Sequence, residues 1–192
     1  MKVTKSPWTA LFPCPVALVT CVDSEGKPNV ITLAWVGTVC SDPPTLGLGI
    51  RPKRYSYKLI EDCGEFVVNV PNKDILRDVD FCGMVSGREV DKFSETGLTP
   101  QPAEKVKPPL IQECPINMEC VVKKKLPLGT HHLFLGEIVH VHVDEDILNE
   151  NGEIDFSRVA PFVYNDGEYW SLHKKIGIYG FSKNENVPAQ SS

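Results

Sequence analysis

The sequence predicts a mainly β protein with short helices, its strands arranged as an antiparallel barrel. Three observations carry this expectation. Roughly six or more runs rich in Val, Ile, Thr and aromatic residues are bounded by Gly, Pro, Asn and Asp clusters. Consecutive runs are mostly joined by turns, not by the long crossover helices that a parallel sheet requires. Neither a GxGxxG nor a P-loop motif occurs, which argues against a doubly wound dinucleotide or nucleotide fold.

Taken in order, the opening stretch MKVTKSPWTALFPCPVALVT carries two lysines and is interrupted by Pro7, Pro13 and Pro15. It reads as neither a signal peptide nor a membrane span, and a cytoplasmic protein is the expectation. VALVTCV then predicts a strand, the Ser24-Glu25-Gly26 turn a hairpin, and VITLAWVGTVC a returning strand. TLGLGI follows Pro43-Pro44 as another strand. KRYSYKLIEDCG predicts a short helix with Tyr55, Leu59 and Ile60 on its apolar side and Gly64 as its stop.

GEFVVNVP predicts a buried strand, and Asn72 is placed to cap a second short helix through KDILRDVDFCG. The segment SGREVDKFSETGLTPQPAEKVKPP reads as a long connection, of the kind that is usually functional or interface-forming. INMECVVKKKL and HLFLGEIVHVHV are two further strands joined through Pro127 and Gly129. FVYNDGEYWSL predicts a hairpin around Asn165-Asp166-Gly167. These elements make one domain over residues 1–182, with KNENVPAQSS (183–192) read as a flexible tail.

Composition narrows the function. The 192 residues carry a net charge of −5 and a pI near 5.5, which opposes a broad nucleic-acid or membrane-surface footprint. Lys123-Lys124-Lys125 reads as a solvated face. The seven cysteines are odd in number and contain no CxxC pair, so neither a zinc ribbon nor a thioredoxin-like site is expected. His140 and His142 alternate with valines and read as the exposed face of a strand. That pair alone lacks a carboxylate or third ligand, and no metal site is expected.

In order and spacing, PVALVT, NVITLAW, the CSDPP step, RPKRYSYKLI, GEFVVNVP, the SG…DKF stretch, LGTHHLFLGEIV and the closing YWSL…IGIYGF span nearly the whole chain. Together they resemble the flavin-reductase-like FMN-binding split barrels, above all the flavoredoxin-type branch. The resemblance implies an antiparallel FMN-binding split barrel that dimerises with itself and binds FMN near the subunit interface. It implies electron or hydride transfer from NAD(P)H or another donor to flavin, ferric iron or a small-molecule or protein redox partner. The alternative it implies is an FMN-bearing electron carrier without turnover. Where two-component monooxygenase reductases have a serine-rich step this chain reads TLAWVGTVC, and Ala34-Trp35 points to the flavoredoxin branch.

FMN asks for two things, fixed donors for its phosphate and an apolar slot with polar edges for its ring. Arg51 and Arg54, followed by Tyr55 and Ser56 at a helix start, suit the phosphate, or else form a solvated basic turn. Ser86 and Lys92 are a second phosphate arm or a polar surface loop. Asn29, Thr32, Ala34 and Trp35 share the strand where the ring would lie. Thr32 and Ala34 fall on one face, and Trp35 falls on the other unless a bulge intervenes. Cys40 reads as a buried structural thiol or as a ring-lining group. His131 and His132 read as turn histidines or as donors near the approach of a nicotinamide or partner, which would give pH dependence near neutrality. Cys40 and His131 are the candidates for a catalytic part, and the residues supply no triad or carboxylate pair.

Overall fold

The computed structural model describes residues 1–183, so the tail expected over 183–192 lies, but for Lys183, outside the described residues. The first strands are a two-residue β1 (Cys14–Pro15), then β2 (Ala17–Val22), β3 (Pro28–Leu33), β4 (Val36–Ser41) and β5 (Pro44–Ile50). Helix α1 (Tyr55–Cys63) and strand β6 (Glu65–Val70) follow. A 3₁₀ turn (Lys73–Ile75) leads into α2 (Leu76–Met84), and α3 spans Lys92–Thr96. Short β7 (Pro100–Gln101) and β8 (Leu110–Ile111) pair with each other, and the long β9 (Ile116–Pro127) and β10 (His132–Val143) come next. Helix α4 (Phe156–Val159) and strands β11 (Phe162–Asn165) and β12 (Glu168–Ser171) follow, and a 3₁₀ turn (Phe181–Lys183) closes the described chain.

Seven strands form one antiparallel sheet in the order β3-β2-β6-β9-β10-β5-β4. Its two edges, β3 and β4, are consecutive in sequence, so the sheet turns back on itself around an apolar interior. Alternation along β2 shows why both of its faces are buried. Ala17, Val19 and Cys21 pack inward with Leu48, Phe66 and Phe134, while Leu18 faces outward with Val30 against Val79, Cys82 and Phe93. A second small sheet, β1-β11-β12, lies beside the outer cluster and contributes Phe162 to it.

Most local signals produce the elements they announce. α1 ends at Gly64, whose N–H reaches the Ile60 carbonyl from φ 73°. Asn72 caps the 3₁₀ turn by accepting from the Asp74 N–H at 3.0 Å. The final hairpin turns through Asp166 (φ 48°) and Gly167 (φ 97°), the two positive φ values that a two-residue turn of this hand needs.

Three expectations need correction. VITLAWVGTVC is not one strand: it breaks at Ala34-Trp35 into β3 and β4, where the sheet reverses. Tyr57, not Tyr55, is the buried tyrosine of α1, with Tyr55 only half-buried. The 86–109 connection is also far from structureless. It contains α3 and β7, and a buried polar seam on the sheet holds it. Asn69 Oδ1 accepts from the Ile111 N–H at 3.0 Å and from Asn117 Nδ2 at 2.8 Å. Glu119 accepts from the N–H groups of Glu104, Lys105 and Val106. The bonds from Ile111, Glu104, Lys105 and Val106 each pair a backbone N–H that would otherwise be left without a partner where the chain crosses the sheet.

Candidate functional site

Two depressions meet at Ile31 and Arg54. The smaller, about 130 Å³, is lined by Lys53, Arg54, Tyr55, Ser56, Ser86, Gly87 and Lys92 among others, and no carboxylate lines it. α1 starts here. Arg54 stands at its N-cap in extended conformation and its side chain makes no capping bond, so the first-turn N–H groups at Tyr55 and Ser56 have no side-chain acceptor. Such a helix start favours an anion.

The hydroxyl of Ser56 is almost wholly buried and accepts a bond from Asn29 Nδ2 at 2.7 Å, which leaves its own O–H to donate. Asn29 thus stands behind Ser56 as its support. Gly87 makes room for this pair, since a Cβ there would sit 2.0 Å from Asn29 Oδ1. Ser86 accepts from the Arg88 N–H at 3.3 Å and also keeps its hydroxyl proton.

Lys92 is the unexpected member. It is 4% exposed, and its ammonium donates to the carbonyls of Val30 at 2.8 Å and Cys82 at 2.7 Å. An ammonium has three donors, so one N–H remains, and Lys92 lines the recess. Burial holds it below its ordinary pKa, and the Arg54 charge adds to the effect.

The larger depression, about 400 Å³, is lined by Phe12, Thr32, Leu33, Ala34, Trp35, Ile50, Arg51, Arg54, His131, Tyr164 and Asp166, among others. The break between β3 and β4 is what lets Thr32, Ala34 and Trp35 line one hollow in spite of strand alternation. Thr32 spends its hydroxyl on the Val79 carbonyl, so it lines the hollow without a free donor proton. Trp35 lies against His131 with ring centroids 4.4 Å apart.

Arg51 Nε donates to His131 Nε2 at 3.3 Å. In the neutral ring that bond places the proton on Nδ1, facing Thr130 Oγ1 at 3.1 Å. Burial and then the Arg51 charge hold His131 below the ordinary histidine range, which agrees with a neutral ring. Its neighbour His132 turns elsewhere and meets the Tyr57 hydroxyl at 2.7 Å.

Of the residues singled out from sequence, the structure brings Thr32, Ala34, Trp35, Arg51, Arg54, Tyr55, Ser56, Ser86, Lys92 and His131 into these two adjoining hollows. Asn29 lies behind them. Cys40 does not join them: it is exposed on edge strand β4, and its thiol meets the Asp42 carbonyl at 3.3 Å. Sequence reasoning missed Lys53, Phe12, Tyr164 and Asp166 as lining residues. The last three come from the two ends of the chain, and no local pattern marks them.

A fixed cationic recess opening into a broad, partly apolar hollow can hold a phosphorylated flat ring. The model of the flavin reductase like domain matches residues 9–173. This chain belongs to that family. Within it, an uncharacterized protein of Archaeoglobus fulgidus is 44% identical over 131 residues, 68% of this chain and 73% of the relative. Among solved structures, the flavoredoxin of Desulfovibrio vulgaris (Miyazaki F) matches with a TM-score of 0.88 at 31% identity, covering 95% of this chain and 100% of its own. The flavoredoxin of Methanosarcina acetivorans matches with a TM-score of 0.87 at 31% identity, covering 96% and 98%. The flavin reductase-like split barrel is therefore the fold of this chain, as its sequence predicts.

Proposed function

We propose that this chain binds FMN and passes electrons or hydride between NAD(P)H, or another donor, and flavin, ferric iron or a redox partner. One observation carries the reading. The cation-lined recess at the start of α1 and the hollow beside Trp35 are contiguous and share Arg54, as a cofactor with a phosphate at one end and a flat ring at the other requires. Family membership and the likeness to two flavoredoxins support it.

The donor set fits the cofactor. Lys53, Arg54 and Lys92 supply positive charge, Ser56 and Ser86 supply hydroxyl protons, and no acid lines the recess to repel a dianion. In this reading Arg54, Tyr55, Ser56, Ser86 and Lys92 hold the phosphate. Thr32, Ala34, Trp35, Arg51 and His131 border the ring. FMN, when bound, supplies the hydride and one-electron chemistry. The chain's own part is to orient and to shield. Arg51 sets fixed positive charge at the edge of the hollow, and its bond holds the His131 ring neutral. Trp35 and Phe12 exclude water from the apolar side. The edge strand β4 runs exposed from Gly37 to Ser41 with Val39 outward, which supports a second copy of the chain covering this side.

The likeness to flavoredoxins favours a second reading, an FMN-bearing electron carrier with no turnover of its own. Visible spectra under anaerobic conditions separate the two. FMN-loaded protein bleached by NADH or NADPH, with continued oxidation when free flavin or a ferric chelate is added, supports the enzyme. Bleaching only through a protein partner supports the carrier. Colourless protein that takes up no added FMN overturns both.

A further inference from the structure

A different cluster lies on strand β10 and shares no residue with the hollows beside α1. His140 and His142 are two positions apart on one face of the strand, and their rings pack 4.6 Å apart. The loop before β8 brings Glu104 over them, with its Oε2 at 3.5 Å from His140 Nε2. One donor atom from each of the three residues falls within 4.8 Å of the others. The VHVHV pattern suggested a pair without a carboxylate, and the long connection supplies it from 36 residues upstream of His140.

What distinguishes this group from a surface ion pair is the residue beneath it. Glu119 on β9 is fully buried, directly across from His140 in the sheet register. Its carboxylate accepts from His142 Nε2 at 2.6 Å and from the Glu104 N–H at 2.9 Å. A single buried acid thereby positions two of the three groups. Both Glu119 oxygens accept backbone N–H groups, so the bond to His142 takes its proton from Nε2, and Nδ1 is the ring nitrogen turned away from Glu119. Carboxylate–histidine pairs of this kind commonly orient a metal-ligating imidazole.

We propose that Glu104, His140 and His142 bind a divalent first-row transition ion such as Zn2+, with Glu119 as the positioning residue behind His142 and Glu104. Two imidazoles and one carboxylate are a donor set that suits Zn2+, and the partial exposure of the cluster leaves a coordination position for water. Zinc bonds of roughly 2.0–2.2 Å place ligand atoms about 3.3–3.5 Å apart. Glu104 Oε2 and His140 Nε2 already stand at that spacing, so any closure around the ion falls on the pairs that include His142. A bound ion would pin the 86–109 connection to β10.

The test is calorimetric titration of the full, tag-free chain with Zn2+ after chelator treatment, alongside His140→Ala, Glu104→Gln and Glu119→Gln. The expected result is one ion per chain. His140→Ala and Glu104→Gln should weaken it at least about ten-fold, and Glu119→Gln about 10–100-fold. His140 is half exposed, so its removal leaves the fold intact and keeps the result readable. Zn2+ binding that is absent, or unchanged in His140→Ala and therefore due to the thiols, overturns the proposal. FMN binding by itself bears on neither outcome.

Discussion

Among the described residues two charged side chains are buried, Glu119 and Lys92, and the fold treats them in opposite ways. Glu119 sits in the seam under the 103–106 loop, where three backbone N–H groups and His142 satisfy its oxygens. Lys92 sits behind the start of α1 with two carbonyls for three donors, beside Arg54, Ser56 and Ser86. A buried charge tolerates desolvation only when it is fully paired. The seam meets that demand from within the chain and so acts as structure. The recess meets it in part and leaves like-signed donors converging, which is the signature of a site completed by an anion.

The widest separation between the two regions should appear in stability. Glu119→Leu strips the acceptor from three backbone N–H groups and from His142, and should cost ~3–5 kcal/mol in urea unfolding. Acid should reproduce part of that loss in the wild type. The folded carboxyl lies below its unfolded value near 4.5, so its contribution is present above that value and disappears as pH falls through the folded one. An acid limb of the stability profile that is the same in wild type and Glu119→Leu would place the acid sensitivity elsewhere.

The recess should answer in ligand binding and hardly at all in folding. Arg54 has no ion pair with a described acid. Arg54→Ala should therefore leave unfolding within about 0.5 kcal/mol and weaken FMN by about 1.5–3 kcal/mol, the worth of a charge-assisted bond. Flavin fluorescence quenching measures the second quantity. Equal FMN affinity in the variant would remove Arg54 from the phosphate set. Gly87→Ala lies between these extremes, because its Cβ would press on Asn29, the support of Ser56. It should cost ~1–3 kcal/mol of stability and lower FMN affinity as well. A stability loss with unchanged affinity would show that Asn29 carries no signal to the recess.

How far each region could be read from sequence follows from the range of its interactions. The β2–β3 hairpin, the Gly64 stop of α1 and the Asn165–Gly167 turn depend on neighbours a few residues away, and their chemistry is written locally. Arg54 and Ser56 were legible for the same reason, since a helix start announces itself. The reversal at Ala34-Trp35 was not, because the β-branched run continues through it and only the closure of the sheet demands a bend. Lys92 reads as a surface arm until α2 and β3 are seen to bury it with their carbonyls. The partnership of Glu119 with His142 and the 104–106 backbone joins segments that no periodicity connects.

The smallest effect probes the edge of the larger hollow. His131 lies below the ordinary histidine value of 6.5 because burial and then the Arg51 charge disfavour its protonated form. The unfolded chain therefore binds the extra proton first. Stability should fall as pH drops from the unfolded value toward the folded one, and recover as pH rises. The half-exposed position of His131 limits this to a few tenths of a kcal/mol, inside the ~0.5 kcal/mol typical of surface groups. Urea unfolding at pH 5 and pH 7.5 should show a slightly smaller difference in His131→Gln than in wild type. In the same variant Arg51 loses its acceptor. If FMN binding then keeps its full pH dependence, the titrating group of the hollow is another one, and the neutral ring beside Trp35 serves packing alone.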